Sequence, residues 1–290
     1  MPGYLLSGLV VGSQYALLAA GLALLFGTSR VLNFAHGVLF VMGGYAVSIV
    51  AEAGLTHLVA AVLVAAVAGG LVGASLLEVV LSPLRSRSGD VVTTALVTVG
   101  ATIVALAVID RVFGSDPKGV PVERSVVGIV AGVPLTNAAI LALVSAPLLM
   151  GGLGLLVRRT AFGLRLRAVA GDGPSAELAG VNSNSVARST VVISAVLAAY
   201  AGALYASNIA NITPLVGNQL MIKGIALVIV GGMGSVGGAV LVSYAVGVLE
   251  AMTVGYVGSG WRDLALMAAL LLVLAVRPNG LFGRVEVSRL

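Results

Sequence analysis

Two pairs of polar side chains stand inside otherwise apolar sequence. Asn33 and His36 are separated by Phe34 and Ala35, and Gln14 and Tyr15 sit near the middle of the first apolar run. Three-residue spacing within a helix gives Asn33 and His36 neighbouring positions on one face. From there an amide and an imidazole can cap the helix, bond to the next segment or touch a solute. Gln14 and Tyr15 suit an amphipathic path for a substrate. Neither pair suggests a metal centre, because the other histidine, His57, lies beside the opposite face, and the absence of Cys excludes thiolate sites and disulfides.

The remaining candidates for chemistry are carboxylates and glycines. An ionisable group inside a membrane segment is costly and normally turns to the interior of a bundle. Glu78, three residues before Leu81, reads as a snorkelling or hydrogen-bonded carboxylate. Asp110 and Glu250 fall at the ends of apolar runs and are expected to meet water. Gly231, Gly232 and Gly234 belong to a run over 231–238 that interrupts a long apolar stretch, as broken helices at transport sites do. There is no GxxxxGK[ST] loop for binding a nucleotide, no HExxH and no Ser-His-Asp set, so the residues suggest no enzyme.

One polar stretch is patterned. In 165–182, Asp172 can cap a short helix that runs from Ser175 to Ala179, with Pro174 in its first turn, where a missing amide costs least. Gly180 ends that helix, and Val181-Asn182-Ser183-Asn184 leads back to apolar sequence. A short ordered helix between two spans makes a docking knob for a partner.

The elements that must hold these residues are apolar. The chain has 290 residues, 59% hydrophobic and 9% charged, with a mean hydropathy of +1.12. Soluble domains carry roughly 25% charge, so the expected fold is an all-α polytopic transmembrane bundle forming one domain over 1–290. The 39 glycines are scattered through apolar runs, where small residues let membrane helices approach closely. The net charge of +5 comes from arginines at the ends of apolar runs, which fits topology determinants rather than a nucleic-acid surface. No cleavable signal peptide is expected, since 1–4 carries no positive side chain and the apolar run after it is too long.

About eight membrane segments are expected, over 4–26, 34–50, 58–81, 91–109, 134–157, 189–210, 222–250 and 264–276. A loop over 112–133 includes short extended pieces around Val120, Val122, Val126 and Val127, and the longest polar loop spans 158–188. Arg30, Arg85, Arg87, Arg158, Arg159, Arg165, Arg167, Arg188, Arg277, Arg284 and Arg289 fall on one side of this layout. Arg111, Lys118, Arg124, Lys223 and Arg262 fall on the other. The positive-inside rule makes the first side cytoplasmic, with the N-terminus outside and the C-terminus inside. Parity then requires 222–250 to enter and leave on one face, as two half-length helices joined at the glycine run.

The run Arg30-Val31-Leu32-Asn33-Phe34-Ala35-His36-Gly37 resembles the N-terminal signature of the permeases of branched-chain amino acid ABC transporters, the LivH/LivM family. Residues 167–182, 231–239 and 277–283 match the same family, in order and nearly end to end. Gly237 and Gly173 stand where the family often has Pro, and here Pro174 follows one residue later. The resemblance implies an importer in the bacterial cytoplasmic membrane for leucine-, isoleucine- or valine-like solutes. Urea and short-chain amide permeases share these motifs, and a secondary transporter or channel is the alternative of a different class. The resemblance also implies partners: a second, homologous permease (LivM-like), two ATPase subunits (LivG- and LivF-like) that hold ATP and magnesium, and an extracytoplasmic binding protein. This chain would bind no cofactor. Residues 171–182 would be the coupling helix, with Arg167 and Glu177 as charged contacts to an ATPase and Asp172, Gly180 and Asn182 shaping it.

Overall fold

The computed structural model describes residues 2–30, 32–86 and 91–283. Val31, Arg87, Arg284 and Arg289, used above for the motif and the charge balance, lie outside the described residues. The helices are α1 (Pro2–Ser29), α2 (His36–Glu52), α3 (Leu58–Ser86), α4 (Val91–Phe113), α5 (Asn137–Arg159), α6 (Ala161–Gly171), α7 (Gly173–Leu178), α8 (Ser183–Ile209), α9 (Leu215–Gly231), α10 (Val236–Tyr256) and α11 (Arg262–Val276). A 3-10 turn, Ser259–Trp261, precedes α11. Among the described residues seven helices are long and apolar enough to cross a membrane, and α2 and α9 are shorter apolar helices. The eight expected segments are thus present, the seventh of them divided into α9 and α10. The chain is an all-α, multi-pass membrane bundle.

Among the described residues four short strands decorate one end. β2 (Val126–Val130) and β3 (Val133–Thr136) form an antiparallel hairpin. Its turn residues Ala131 and Gly132 have φ of 54° and 82°, the left-handed pair that a two-residue hairpin turn requires. β1 (Lys118–Gly119) pairs antiparallel with β4 (Asn211–Ile212), beyond the end of α8. The fifth apolar segment therefore starts later than expected. Pro134 lies in β3, and α5 begins at Asn137 behind Thr136, whose hydroxyl accepts from the Ala139 amide at 3.1 Å.

α1 and α8 are the most buried spans, whereas α4, α5 and α11 leave most of their surface open. Close packing at the centre depends on absent side chains. A Cβ on Gly202 of α8 would run into the Phe40 carbonyl of α2, and one on Gly43 of α2 into the Ala199 carbonyl of α8. Two ends can be distinguished. Gly3 of α1 lies against the β2–β3 turn and marks the hairpin end. The knob of α6 and α7 lies at the other, basic end, with Arg30, Arg158, Arg159, Arg165 and Arg167.

The glycine-run break differs from the expected pair of half-length helices. α9 has 17 residues and α10 has 21, or about 25 and 31 Å at 1.5 Å per residue, so each is close to a full span. The corner lies at the basic end, where Gly234 approaches Gly27 near the end of α1. Gly231 has no room for a Cβ, which would meet the Ala239 amide nitrogen at 2.5 Å, and Gly232 has φ of 98°, open to glycine at no steric cost. The tail after α11 packs on this corner. The Leu281 amide donates to the Val230 carbonyl at 2.7 Å, and Gly232 abuts Phe282 and Gly283. Two motifs far apart in sequence, 231–239 and 277–283, are therefore one structural unit.

Candidate functional site

The knob at the basic end is built from caps. Thr160 opens α6, accepting from the Gly163 amide at 3.1 Å. Asp172 ends α6 and caps α7, its carboxylate accepting from the Ser175 amide at 3.2 Å and from the Ser175 hydroxyl. Those two bonds, the hydroxyl first, hold the Asp172 carboxyl below the ordinary carboxylate range, with Arg30 contributing a nearby positive charge. Pro174 stands in the first turn of α7, Gly180 follows with φ of 83°, and Asn182 caps α8 by accepting from the Ser185 amide at 2.9 Å. Glu177 is exposed. Arg167 turns back to bond the Val157 carbonyl and so braces α6 against α5. Sequence reading missed Leu178, 92% exposed at the end of α7, because an apolar residue in a membrane protein gives no local sign of where it points.

Arg30 ties the knob to the bundle. Its guanidinium donates to the Ala170 and Gly171 carbonyls, each at 3.3 Å, at the end of α6. Its backbone has φ of 53°, an uncommon conformation for a residue with a Cβ.

Asn33 and His36 lie beyond that turn, but they do not share a helical face, because α2 starts only at His36. The Asn33 side-chain carbonyl accepts from the Ala35 amide at 3.0 Å and closes the turn into α2. His36 is fully buried, and its Nε2 is 3.2 Å from the Leu18 carbonyl of α1. A carbonyl only accepts, so Nε2 carries the proton. The Phe34 amide reaches the Thr98 hydroxyl of α4 at 3.3 Å. The signature is thus a corner that joins α1, α2 and α4. Among the described residues Asn33 Nδ2 and His36 Nδ1 have no hydrogen-bond partner.

The ionisable groups of the interior gather toward the hairpin end. Glu250 was expected to meet water, yet its side chain is 3% exposed. Its Oε1 accepts from Lys223 Nζ at 2.7 Å, and its Oε2 accepts from Arg262 Nε and from the Tyr15 hydroxyl, both at 2.9 Å. Arg262 also donates to the Tyr15 oxygen at 3.1 Å. Lys223 reaches Asp263 at 2.9 Å. The reason is packing. Glu250 lies on the face of α10 turned to α1 and α9, so its only counter-charges are protein groups. Lys223 and Arg262, counted above as topology charges, are inward partners. Tyr15 belongs to this cluster, whereas Gln14 is buried with Nε2 unpartnered among the described residues. Glu78 is paired as expected, accepting from Arg188 Nε at 3.0 Å, and Asp110 is exposed and accepts from the Ser115 hydroxyl at 2.7 Å.

Polar groups confined to the interior and ends of an apolar bundle, with a braced knob at the basic end, are the marks of a transport-type integral membrane protein. The model of the family described as the permease component of branched-chain amino acid transport systems matches residues 4–275. The permease BraD of the high-affinity branched-chain amino acid transport system of Pseudomonas aeruginosa is 33% identical over 98% of this chain and 96% of BraD. LivH of the corresponding system of Escherichia coli K12 is 30% identical over 98% of this chain and 96% of LivH. The xylose transport system permease XylH of the same organism is 32% identical over 43% of this chain and 33% of XylH. No solved structure matches significantly. The chain belongs to the family of branched-chain amino acid transport permease components, and with it to ABC transport systems.

Proposed function

We propose that this chain is the membrane-spanning permease subunit of an ABC importer that carries branched-chain amino acids across the bacterial cytoplasmic membrane. The N-terminus is outside and the knob and C-terminus are cytoplasmic. The observation that carries this reading is the capped helix α7, held at the end of the bundle where the arginines gather, with Leu178 projecting from it. An apolar side chain left in water on a rigid support suits a partner groove. The positive-inside rule puts that end in the cytoplasm, where ATPases work.

The working unit pairs this chain with a second, homologous permease, two ATPase subunits and an extracytoplasmic binding protein. ATP and magnesium belong to the ATPases. Closure of those subunits pushes on α7. Arg167 braces α6 against α5, Arg30 joins the knob to the α1–α2 corner, and Asp172, Gly180 and Asn182 keep α7 a discrete lever. Glu177 and Leu178 are the contacts to the ATPase.

The test is ATP-dependent uptake of labelled leucine and labelled urea by proteoliposomes containing the complete complex. Leucine uptake is expected. Urea uptake alone would move the chain to the amide-type alternative, and uptake without ATP would make it a secondary transporter. Changing Glu177→Lys with Leu178→Asp is expected to uncouple ATP hydrolysis from uptake while membrane insertion is retained. Unchanged coupling would remove α7 from the mechanism.

A further inference from the structure

Lys223, Glu250, Arg262 and Asp263 form a ring of four charges lying apart from the coupling knob. Lys223 bonds Asp263 at 2.9 Å and Glu250 at 2.7 Å, Glu250 bonds Arg262 at 2.8 Å, and the chain itself joins Arg262 to Asp263. The signs alternate around the ring and sum to zero.

Exposure around the ring is uneven. The side chain of Glu250 is 3% exposed and that of Lys223 10%, whereas that of Asp263 is 77% exposed. A charge removed from water needs a counter-charge beside it. Glu250, with three donors on its two oxygens, cannot be released. Asp263 can turn to water at little cost. The edge that can open is therefore the one between Lys223 and Asp263.

The ring limits what can occupy that opening. An anion at Lys223 would leave the ring with an excess negative charge, and a cation at Asp263 would leave it with an excess positive one. An uncharged amide brings no counter-charge for Lys223. A molecule with a carboxylate and an ammonium on one carbon brings both and preserves neutrality. We infer that the Lys223–Asp263 edge is a solute-contact site for a zwitterionic amino acid, its carboxylate on Lys223 and its ammonium on Asp263. Trp261 and Leu264, both exposed, flank the Arg262–Asp263 pair in sequence and offer apolar surface to a hydrocarbon side chain. Opening the edge also frees the first turn of α11 from α9. The inference rests on the amino-acid permease reading and adds the residues that contact the solute.

The experiment uses the complete transporter in lipid nanodiscs without its binding protein. It reads the ligand-induced rise in unfolding temperature with leucine, 4-methylpentanoate, 3-methylbutylamine and urea as probes. The wild type is expected to respond to leucine alone. Asp263→Asn leaves the ring net positive, so the response moves to 4-methylpentanoate. Lys223→Gln leaves it net negative, so the response moves to 3-methylbutylamine. In both variants the leucine concentration needed rises, by about tenfold or more for Lys223→Gln, whose ammonium is buried, and by less for Asp263→Asn, whose carboxylate is exposed. A wild type indifferent to leucine, a wild type equally responsive to urea, or variants that lose the leucine response without exchanging ion preference would each overturn the inference. If Lys223→Gln fails to assemble, Asp263→Asn decides alone. ATP-driven leucine uptake by the wild type with its binding protein is measured alongside. Failure there overturns the amino-acid permease reading, while intact uptake with no ion exchange in the variants overturns only the site.

Discussion

Lys223 Nζ and Glu250 Oε1 meet at 2.7 Å, although each side chain belongs to a helix that is apolar along most of its length. The pair fastens α9 to α10 well away from the glycine corner that joins them. Arg262 and the Tyr15 hydroxyl complete the surroundings of the carboxylate. Removing Glu250 leaves the buried Lys223 with Asp263 alone as counter-charge and takes from Arg262 its carboxylate partner. Glu250→Ala is expected to destabilise the chain by about 3–5 kcal/mol, seen as a large drop in unfolding temperature in nanodiscs. Asp263→Asn, which disturbs an exposed carboxylate, is expected to cost under about 1 kcal/mol. Equal losses in the two variants would contradict the burial assigned to the ring.

His36 donates to a carbonyl of a different helix and is fully buried. His36→Ala removes the bond and leaves a cavity, for a loss of about 2 kcal/mol or more. Gln, whose amide nitrogen can reach the Leu18 carbonyl, is expected to recover part of the loss. Thermal unfolding of the two variants side by side checks this, and identical behaviour would show that the bond contributes nothing.

The Asp172 cap carries a pH dependence. Its folded carboxyl titrates below the ordinary value of about 3.9, because Ser175 bonds the ionised form. The stabilisation is present above that ordinary value and is lost as pH falls through the lower folded value. Hydrogen-exchange protection of the α7 amides is therefore expected to hold through neutral and mildly acidic pH. Asp172→Ala should abolish that protection at neutral pH, whereas Asp172→Asn, which still accepts a bond, should retain part of it.

Gly202 faces a backbone carbonyl of α2 that cannot move aside as a flexible side chain would. Gly202→Ala is expected to force α2 and α8 apart at a cost of about 1–3 kcal/mol. Gly152 of α5 has open space where its Cβ would stand, so Gly152→Ala is expected to stay within about 1 kcal/mol of the parent. The ratio of folded to aggregated protein after detergent extraction distinguishes the two.

Much of this architecture was legible in the sequence because membrane helices are long, apolar and ended by charges. The division at 231–238 and the cap at Asp172 followed from residue types whose backbone preferences are strong. The ring was not legible. Lys223 and Arg262 look like topology charges when they are counted by position along the chain, and only the packing of α9, α10 and α11 shows that they face Glu250. The corner at Asn33 and His36 was read as one helical face for a similar reason. Nothing in the local sequence says that the helix waits until His36, a start set by Asn33 bonding the Ala35 amide and by contacts from other helices.

The bond from the Leu281 amide to the Val230 carbonyl bears on how the protein is made. Chains are synthesised from the N-terminus, so α9 and α10 enter the membrane before the residue that completes their corner exists. Until residues 281–283 emerge, Gly232 lacks the backbone of Phe282 and Gly283 that packs against it. The final form of the corner is therefore reached only after Gly283 has been made, and a product ending before Leu281 would keep its spans yet leave that junction open.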